Sequence, residues 1–68
     1  MIKIGENIRR ARLVRNYTQQ YMATKLGISI HAYLNIENGR ADVNTRRLTD
    51  IAVILEYKPY ELLIGDEK

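Results

Sequence analysis

Apolar residues recur at three- and four-residue spacing along most of this chain, a pattern typical of amphipathic helices. It predicts helices at residues 4–15, 19–26, 30–37, 45–55 and 59–63. No segment alternates between apolar and polar residues as a half-buried strand does. We therefore expect an all-α fold of five helices in a single domain spanning residues 1–68, with residues 64–68 as a frayed tail.

The residues between these segments are of types that start and end helices. Three residues that precede predicted helices have short side chains with an oxygen acceptor, which suits an N-cap: Thr18, Ser29 and Asn44. Asn16 and Gly27 tolerate the left-handed backbone that ends many helices. Pro59 suits the first position of the fifth helix. The helix boundaries are thus predicted by the caps as well as by the periodicity.

The second and third predicted helices are separated only by Gly27, Ile28 and Ser29. The small side chain of Ala23 allows close crossing of the two helices, and we expect Ile28 to fill the angle between them. Two helices joined by a three- or four-residue turn with a glycine define a helix-turn-helix. The stretch 18–37 therefore predicts this unit.

The chain resembles the Cro/C1-type (XRE-family) helix-turn-helix domains of phage repressors and bacterial regulators, which are lambda-repressor-like. The resemblance spans residues 4–63 and depends on the joint spacing of Ile4, Gly5, Ile8, Arg12, Gln19, Met22, Ala23, Leu26, Gly27, Ser29, Ile36, Glu37, Gly39, Leu48, Ile51, Ala52, Leu55, Leu62 and Leu63. It implies a compact five-helix domain that binds double-stranded DNA with its third helix in the major groove.

The resemblance also implies which residues of the third helix contact base edges: Ile30, His31, Ala32 and Asn35. The Asn35 amide can pair with N6 and N7 of adenine. Ile30 and Ala32 can only make apolar contacts, most naturally with thymine methyl groups. We expect Tyr33 and Ile36 to face the core.

Phosphate contacts are implied for residues that flank the recognition helix: Gln19, Asn38, Arg40, Arg46 and Arg47. Gln19 would use its side chain or its backbone amide, at a helix end that favours anions. Lys25 and Arg10 are weaker candidates. The resemblance further implies that Arg12 and Glu37 form an internal salt bridge, which would make Arg12 a structural residue.

Ile30 and Leu34 depart from the resemblance, because polar residues often occupy these positions in the family. Leu34 could instead pack against the first or fourth helix and carry no information. Alternatively, the pair could form an apolar face that binds a protein partner, as in an antitoxin-like module. These interpretations stay open from sequence.

The stretch 57–64 is unusually apolar for the end of a chain. In related domains this region often forms a dimer interface, which here would comprise Tyr57, Tyr60, Leu63 and Ile64. A homodimer would place two recognition helices on half-sites one helical turn apart. The alternative is that Leu62 and Leu63 close the core of a monomer while the two tyrosines cover its edge.

Composition restricts the function further. The net charge of +3 suits a polyanion, and residues 1–16 carry five basic side chains against Glu6 alone. With one histidine and no cysteine, we expect no metal site, disulfide, cofactor or enzymatic activity. No apolar run could span a membrane, no small-molecule ligand is evident, and a cytoplasmic location is the default. We expect a bacterial or phage transcriptional regulator, acting as a repressor since no activation or sensor domain is visible.

Overall fold

A computed structural model describes residues 3–64, which form five helices and no strand. The helices are α1 (Ile4–Val14), α2 (Gln19–Leu26), α3 (Ile30–Glu37), α4 (Thr45–Leu55) and α5 (Pro59–Ile64). The predicted all-α fold is confirmed, with every helix beginning at the predicted residue. Helix α1 ends one residue earlier than predicted. Helix α5 ends one residue later, so Ile64 is helical rather than frayed, and the rest of the predicted tail lies outside the described residues.

The caps explain why the helices begin and end where they do. The side chains of Thr18, Ser29 and Asn44 each accept a hydrogen bond from the backbone amide three residues later, at 2.8 to 3.0 Å. Asn16 and Gly27 have positive φ angles of 62° and 71°, as expected for the ends of α1 and α2. These five predicted boundaries are confirmed.

The core lies where the inward stripes of the helices meet. Its fully buried large side chains come from all five helices: Ile8, Met22, Tyr33, Ile51, Leu55 and Leu62. Leu26, Ile28 and Leu63 are partly buried against this cluster, and so are Ala41 and Val43 of the α3–α4 loop. The α3–α4 loop therefore also contributes to the core. None of the helices described is both long and apolar enough to cross a membrane.

Helix α1 packs against α3, α4 and α5 and bonds to their carboxyl ends. Asn7 Nδ2 donates to the carbonyl oxygen of Leu62 at 2.7 Å, and Arg15 Nε donates to that of Leu55 at 2.7 Å. A helix leaves its last carbonyls without intrahelical partners, so these donors satisfy acceptors that would otherwise need water. Helix α1 and the residue that follows it are thereby tied to the carboxyl ends of α5 and α4.

Candidate nucleic-acid interface

Helices α2 and α3 form the predicted helix-turn-helix. The turn is made by Gly27 in the left-handed conformation, followed by Ile28, whose backbone amide donates to the carbonyl of Ala23 at 3.0 Å. Ala23 has no exposed surface, which fits its expected place in the helix crossing. Ile28 is half-buried against the core, as expected for a residue between the helices.

Helix α3 is divided into an inward and an outward side. Tyr33 and Ile36 are buried, as predicted. His31 is exposed, while Ala32 and Asn35 are half-buried. Among residues 3–64, no hydrogen bond engages the side chains of His31 or Asn35. These two polar groups are therefore available to a ligand.

Neither residue of the apolar pair on α3 is fully exposed. Ile30 retains 37 % of its surface, whereas Leu34 is half-buried. The two residues therefore do not form a fully exposed apolar patch. Leu34 is not one of the half-buried apolar residues that pack against the core within residues 3–64, so inward packing of Leu34 gains no support. Ile30 remains as the accessible apolar residue at the start of the helix.

The candidate phosphate contacts after α3 are accessible. Asn38, Arg40 and Arg46 are exposed, and Arg47 is half-buried. Arg46 Nε lies 3.7 Å from Asp50 Oδ2, an exposed pair whose attraction water largely screens. Arg46 could therefore leave the Asp50 carboxylate and bind a phosphate instead. The phosphate roles of these residues remain predictions.

The amino end of α2 offers free backbone donors. Thr18 accepts from the amide of Tyr21, and the carbonyl of Thr18 accepts from the amide of Met22. The amides of Gln19 and Gln20 come earlier in the helix and have no intrahelical acceptor. Together with the positive end of the helix dipole, they make a suitable anion site.

The side chain of Gln19 has a partner that the sequence did not reveal. Its Nε2 donates to Glu37 Oε1 at 3.2 Å, at the last residue of α3. Gln19 is half-buried, and its side chain, one of the two groups expected to contact phosphate, already holds an intramolecular bond. No local sequence signal predicts this contact, because the two residues meet only through the crossing of α2 and α3.

Glu37 is the centre of a buried polar cluster. Arg12 donates to it through Nε at 2.7 Å and through Nη2 at 3.3 Å, so the ion pair expected from the resemblance is present and bidentate. The hydroxyl of Tyr33 donates to Glu37 Oε2. The Arg12 Nη1 atom donates to the carbonyl of Tyr17 at 2.8 Å. This cluster, defined as Arg12, Gln19, Tyr33 and Glu37, is called the Glu37 cluster below.

The Glu37 cluster keeps its charges at neutral pH. Burial raises the pKa of Glu37, but the hydrogen bonds from Arg12, Tyr33 and Gln19 outweigh it, so the pKa lies below its usual value. Burial raises the pKa of Tyr33, and the bond to Glu37 raises it further. Hydrogen bonding to Glu37 raises the pKa of Arg12. Glu37 is therefore a carboxylate acceptor and Tyr33 a hydroxyl donor.

The basic amino-terminal segment is less accessible than its charge suggests. Arg12 is 7 % exposed, and Arg15 is bound to the carbonyls of Leu55 and Glu56 and lies 5.1 Å from the centre of the Tyr57 ring. The structure therefore agrees with the structural role expected of Arg12, and it shows that Arg15 is also bonded within the protein. Three exposed basic residues of the segment remain: Lys3, Arg9 and Arg10.

The carboxyl-terminal surface is apolar and partly exposed. Tyr60 and Ile64 are exposed at 56 % and 54 %, while Tyr57 and Leu63 are half-buried against the core. Ile64 and Tyr57 line a groove with two further exposed residues of α1, Leu13 and Val14. Neither residue was assigned to a surface from sequence. Both are apolar, but they lie off the core-facing side of α1, which is formed by Ile4, Ile8 and Ala11.

Comparison with known proteins shows the family to which this chain belongs. Residues 5–67 match the family described as "Helix-turn-helix domain". The chain belongs to this helix-turn-helix family, and the resemblance to Cro/C1-type domains is confirmed.

Two bacterial relatives share more than a third of the aligned residues. The SPbeta prophage-derived HTH-type transcriptional regulator YonR of Bacillus subtilis is 36 % identical over 61 residues, which cover 90 % of this chain and 56 % of the relative. The HTH-type transcriptional regulator YqaE of the same organism is 38 % identical over 62 residues, covering 91 % and 53 %. The chain thus spans just over half the length of these relatives.

A solved structure has the same fold. The restriction-modification controller protein C.AhdI from Aeromonas hydrophila superimposes with a TM-score of 0.82 at 25 % identity, covering 88 % of this chain and 91 % of that chain. The arrangement of five helices therefore occurs in a protein whose described role is control of a restriction-modification system.

Proposed function

We propose that this chain is a transcriptional regulator that binds double-stranded DNA with α3 in the major groove. The observation that carries the proposal is the outward side of α3, where the side chains of His31 and Asn35 have no hydrogen bond within residues 3–64, together with the free backbone amides at the start of α2. Membership of the helix-turn-helix family and relatives described as transcriptional regulators support it.

In this proposal, two sets of residues divide the work of binding. Base edges are contacted by Ile30, His31, Ala32 and Asn35. Phosphates are contacted by Gln19, Asn38, Arg40, Arg46 and Arg47. The first set selects the sequence, and the second fixes the position of α3 in the groove. With no Lys or Arg within α3, base selection depends on few polar atoms.

A selection of bound sequences from random duplexes, followed by fluorescence anisotropy with the selected site, tests the proposal. We expect tighter binding to the selected duplex than to a scrambled one, with affinity that falls steeply as salt rises. A reporter placed behind the site tests the further proposal that binding represses transcription. A folded chain that binds no duplex at low salt would exclude the function.

Charge-matched variants test the phosphate contacts. Replacing Arg46 and Arg47 with Gln should weaken binding to all duplexes and reduce the slope of log K against log salt by about 0.9 for each phosphate that is no longer neutralised. Replacing the exposed Arg9 with Gln provides a control for removal of positive charge outside the proposed contacts. Equal reductions of slope per charge in both variants would count against specific roles for Arg46 and Arg47.

We further propose that the chain acts as a homodimer through Tyr57, Tyr60, Leu63 and Ile64. The exposure of Tyr60 and Ile64 beside an apolar groove supports this. Sedimentation equilibrium should give a dimer that Ile64→Gln weakens. Val53→Gln, at an exposed aliphatic residue of α4, is the matched control and should leave the dimer intact.

A second candidate function is supported by the exposure of Ile30. An apolar residue at the start of α3 could bind a protein partner instead of a thymine methyl group. Ile30→Gln distinguishes the two, because it should alter preference at one base position if Ile30 reads DNA. Unchanged DNA selection together with loss of a bound protein would favour the second function.

A further inference from the structure

Glu37 connects the buried interior to the amino end of α2. Its carboxylate receives Arg12 Nε and the Tyr33 hydroxyl on Oε2, and Arg12 Nη2 and Gln19 Nε2 on Oε1. Three of these four bonds come from buried side chains, whereas Gln19 is half-buried at the first residue of α2. The cluster therefore ends at a residue that a phosphate could reach.

Arg12 and Tyr33 hold the carboxylate of Glu37 in place independently of Gln19. The planar guanidinium of Arg12 spans both oxygens, and Tyr33 adds a donor from one turn earlier in α3. Within residues 3–64, the bond from Gln19 to Glu37 is the one side-chain hydrogen bond that joins α2 to α3. It links the start of α2 to the last residue of the recognition helix.

We propose that Glu37 is a positioning residue for DNA binding, which holds the Gln19 amide so that the phosphate site of α2 keeps a fixed relation to α3. This rests on the DNA-binding function proposed above. The amide nitrogen of Gln19 has two hydrogens, of which Glu37 uses one. The other, with the free backbone amides of Gln19 and Gln20, is left for a phosphate oxygen. Holding the side chain in advance reduces the entropy lost on binding.

Tyr33 gives a way to perturb this arrangement from within. It is wholly buried, so its hydroxyl cannot touch DNA, and Tyr33→Phe removes one bond to Glu37 while the ring and the Arg12 ion pair remain. Its effect on DNA affinity must therefore pass through the protein. If it passes through Gln19, it should vanish when Gln19 has no amide.

The test is a double-mutant cycle on DNA affinity with Tyr33→Phe and Gln19→Met, measured on protein shown to be folded by circular dichroism. We expect Tyr33→Phe to weaken binding roughly three-fold in the original chain, the scale of one hydrogen bond, and to have no effect in the Gln19→Met background. The control is Gln20→Met, because Gln20 is the neighbouring glutamine and its amide bonds to Thr24 instead. In that background the full effect of Tyr33→Phe should persist.

A weakening of the same size in both the original and the Gln19→Met backgrounds would overturn the proposal, because the hydroxyl would then act independently of Gln19. No effect of Tyr33→Phe in the original chain would overturn it as well.

A measurement without DNA separates failure of this inference from failure of the proposed function. In ¹H–¹⁵N spectra, Tyr33→Phe should shift the side-chain amide signals of Gln19 and leave those of Gln20 in place. Unchanged Gln19 signals would overturn the positioning role. Shifted Gln19 signals, in a chain that binds no duplex, would instead overturn the proposed DNA binding.

Discussion

The polar side chains of α1 and those on the outward side of α3 differ in where their hydrogen bonds go. Asn7 and Arg12 of α1, and Arg15 just after it, each donate to an atom near the carboxyl end of another helix. The side chains of His31 and Asn35 in α3 form no hydrogen bond within residues 3–64. Residues of similar polarity thus serve opposite purposes, and only the tertiary partner distinguishes them.

This difference has a physical consequence for substitutions. Removing a side chain whose bond ends inside the protein leaves a buried group without its partner and lowers stability. Removing a side chain with no internal bond leaves the fold intact and changes only what it would bind. The predictions below test this division, beginning with the change expected to cost most.

Arg12→Ala should have the largest effect. It leaves the buried Glu37 carboxylate without its cation, and breaking a buried pair by removing one partner costs about 3–5 kcal/mol. Urea unfolding should show this decrease in the free energy of unfolding. Arg9→Ala, at an exposed arginine of the same helix, should change it by less than about 0.5 kcal/mol. Similar decreases for the two arginines would contradict the division.

The same pair predicts a pH dependence. The pKa of Glu37 is lower in the folded chain than its ordinary value, so the folded state binds fewer protons there than the unfolded state. The stabilisation is complete above the ordinary glutamate pKa and is lost as pH falls through the folded value. Stability should therefore decline on acidification below the usual glutamate range. In Glu37→Gln, which titrates no proton at this position, the decline should be smaller.

Gly5→Ala should also destabilise the chain, against the usual helix preference for alanine. A Cβ at Gly5 would lie 2.6 Å from the carbonyl oxygens of both Ile36 and Glu37, which are backbone atoms that cannot move independently. Separating α1 from α3 should cost about 1–3 kcal/mol, more than the roughly 1 kcal/mol gained from helix propensity. Thermal unfolding would measure it. An increase in melting temperature would show that α1 and α3 can separate cheaply.

Asn35→Ala tests the other side of the comparison. Its side chain holds no internal bond, so stability should change by less than about 0.5 kcal/mol. The DNA selection should lose its preference at one base position, worth about 1–3 kcal/mol if Asn35 pairs with adenine. A weakening of affinity that is uniform over all sequences would indicate a phosphate contact instead.

Among the changes that disturb a contact inside the protein, Asn7→Ala should lower stability the least. It removes the 2.7 Å bond to the Leu62 carbonyl, worth about 1 kcal/mol. Because this bond ties α1 to α5, hydrogen exchange should speed up in α5 while α3 keeps its protection. Equal acceleration in both helices would mean that Asn7 supports the whole fold rather than this junction.

Much of the fold could be predicted from sequence because its determinants are local. The side chains of Thr18, Ser29 and Asn44 accept hydrogen bonds from amides three residues away. Asn16 and Gly27 adopt the left-handed conformation, which asparagine and glycine tolerate intrinsically. The left-handed conformation of Glu56, which has a φ angle of 63° at the end of α4, was not predicted, because glutamate has no preference for this conformation. Its carbonyl accepts a bond from Arg15, a contact 41 residues away in the chain.

For the candidate site, the resemblance implied the candidate residues and the Arg12–Glu37 ion pair, but not the internal bond of Gln19. The positions of Arg12, Gln19 and Glu37 follow from the motif, whereas the bond between Gln19 and Glu37 requires α2 to cross α3 at a particular place. Likewise, Arg15 looks like the exposed arginines of the amino-terminal segment until the carbonyl opposite it is known.

The amino-acid sequence by itself determined the five helices, their caps and the helix-turn-helix, because periodicity and capping act over three or four residues. The tertiary structure alone decided the partners of the polar side chains, because a hydrogen bond forms only where two distant groups come within about 3 Å. It thereby separated the arginines bonded within the fold from the exposed ones, and it joined Gln19 of α2 to Glu37 at the end of α3.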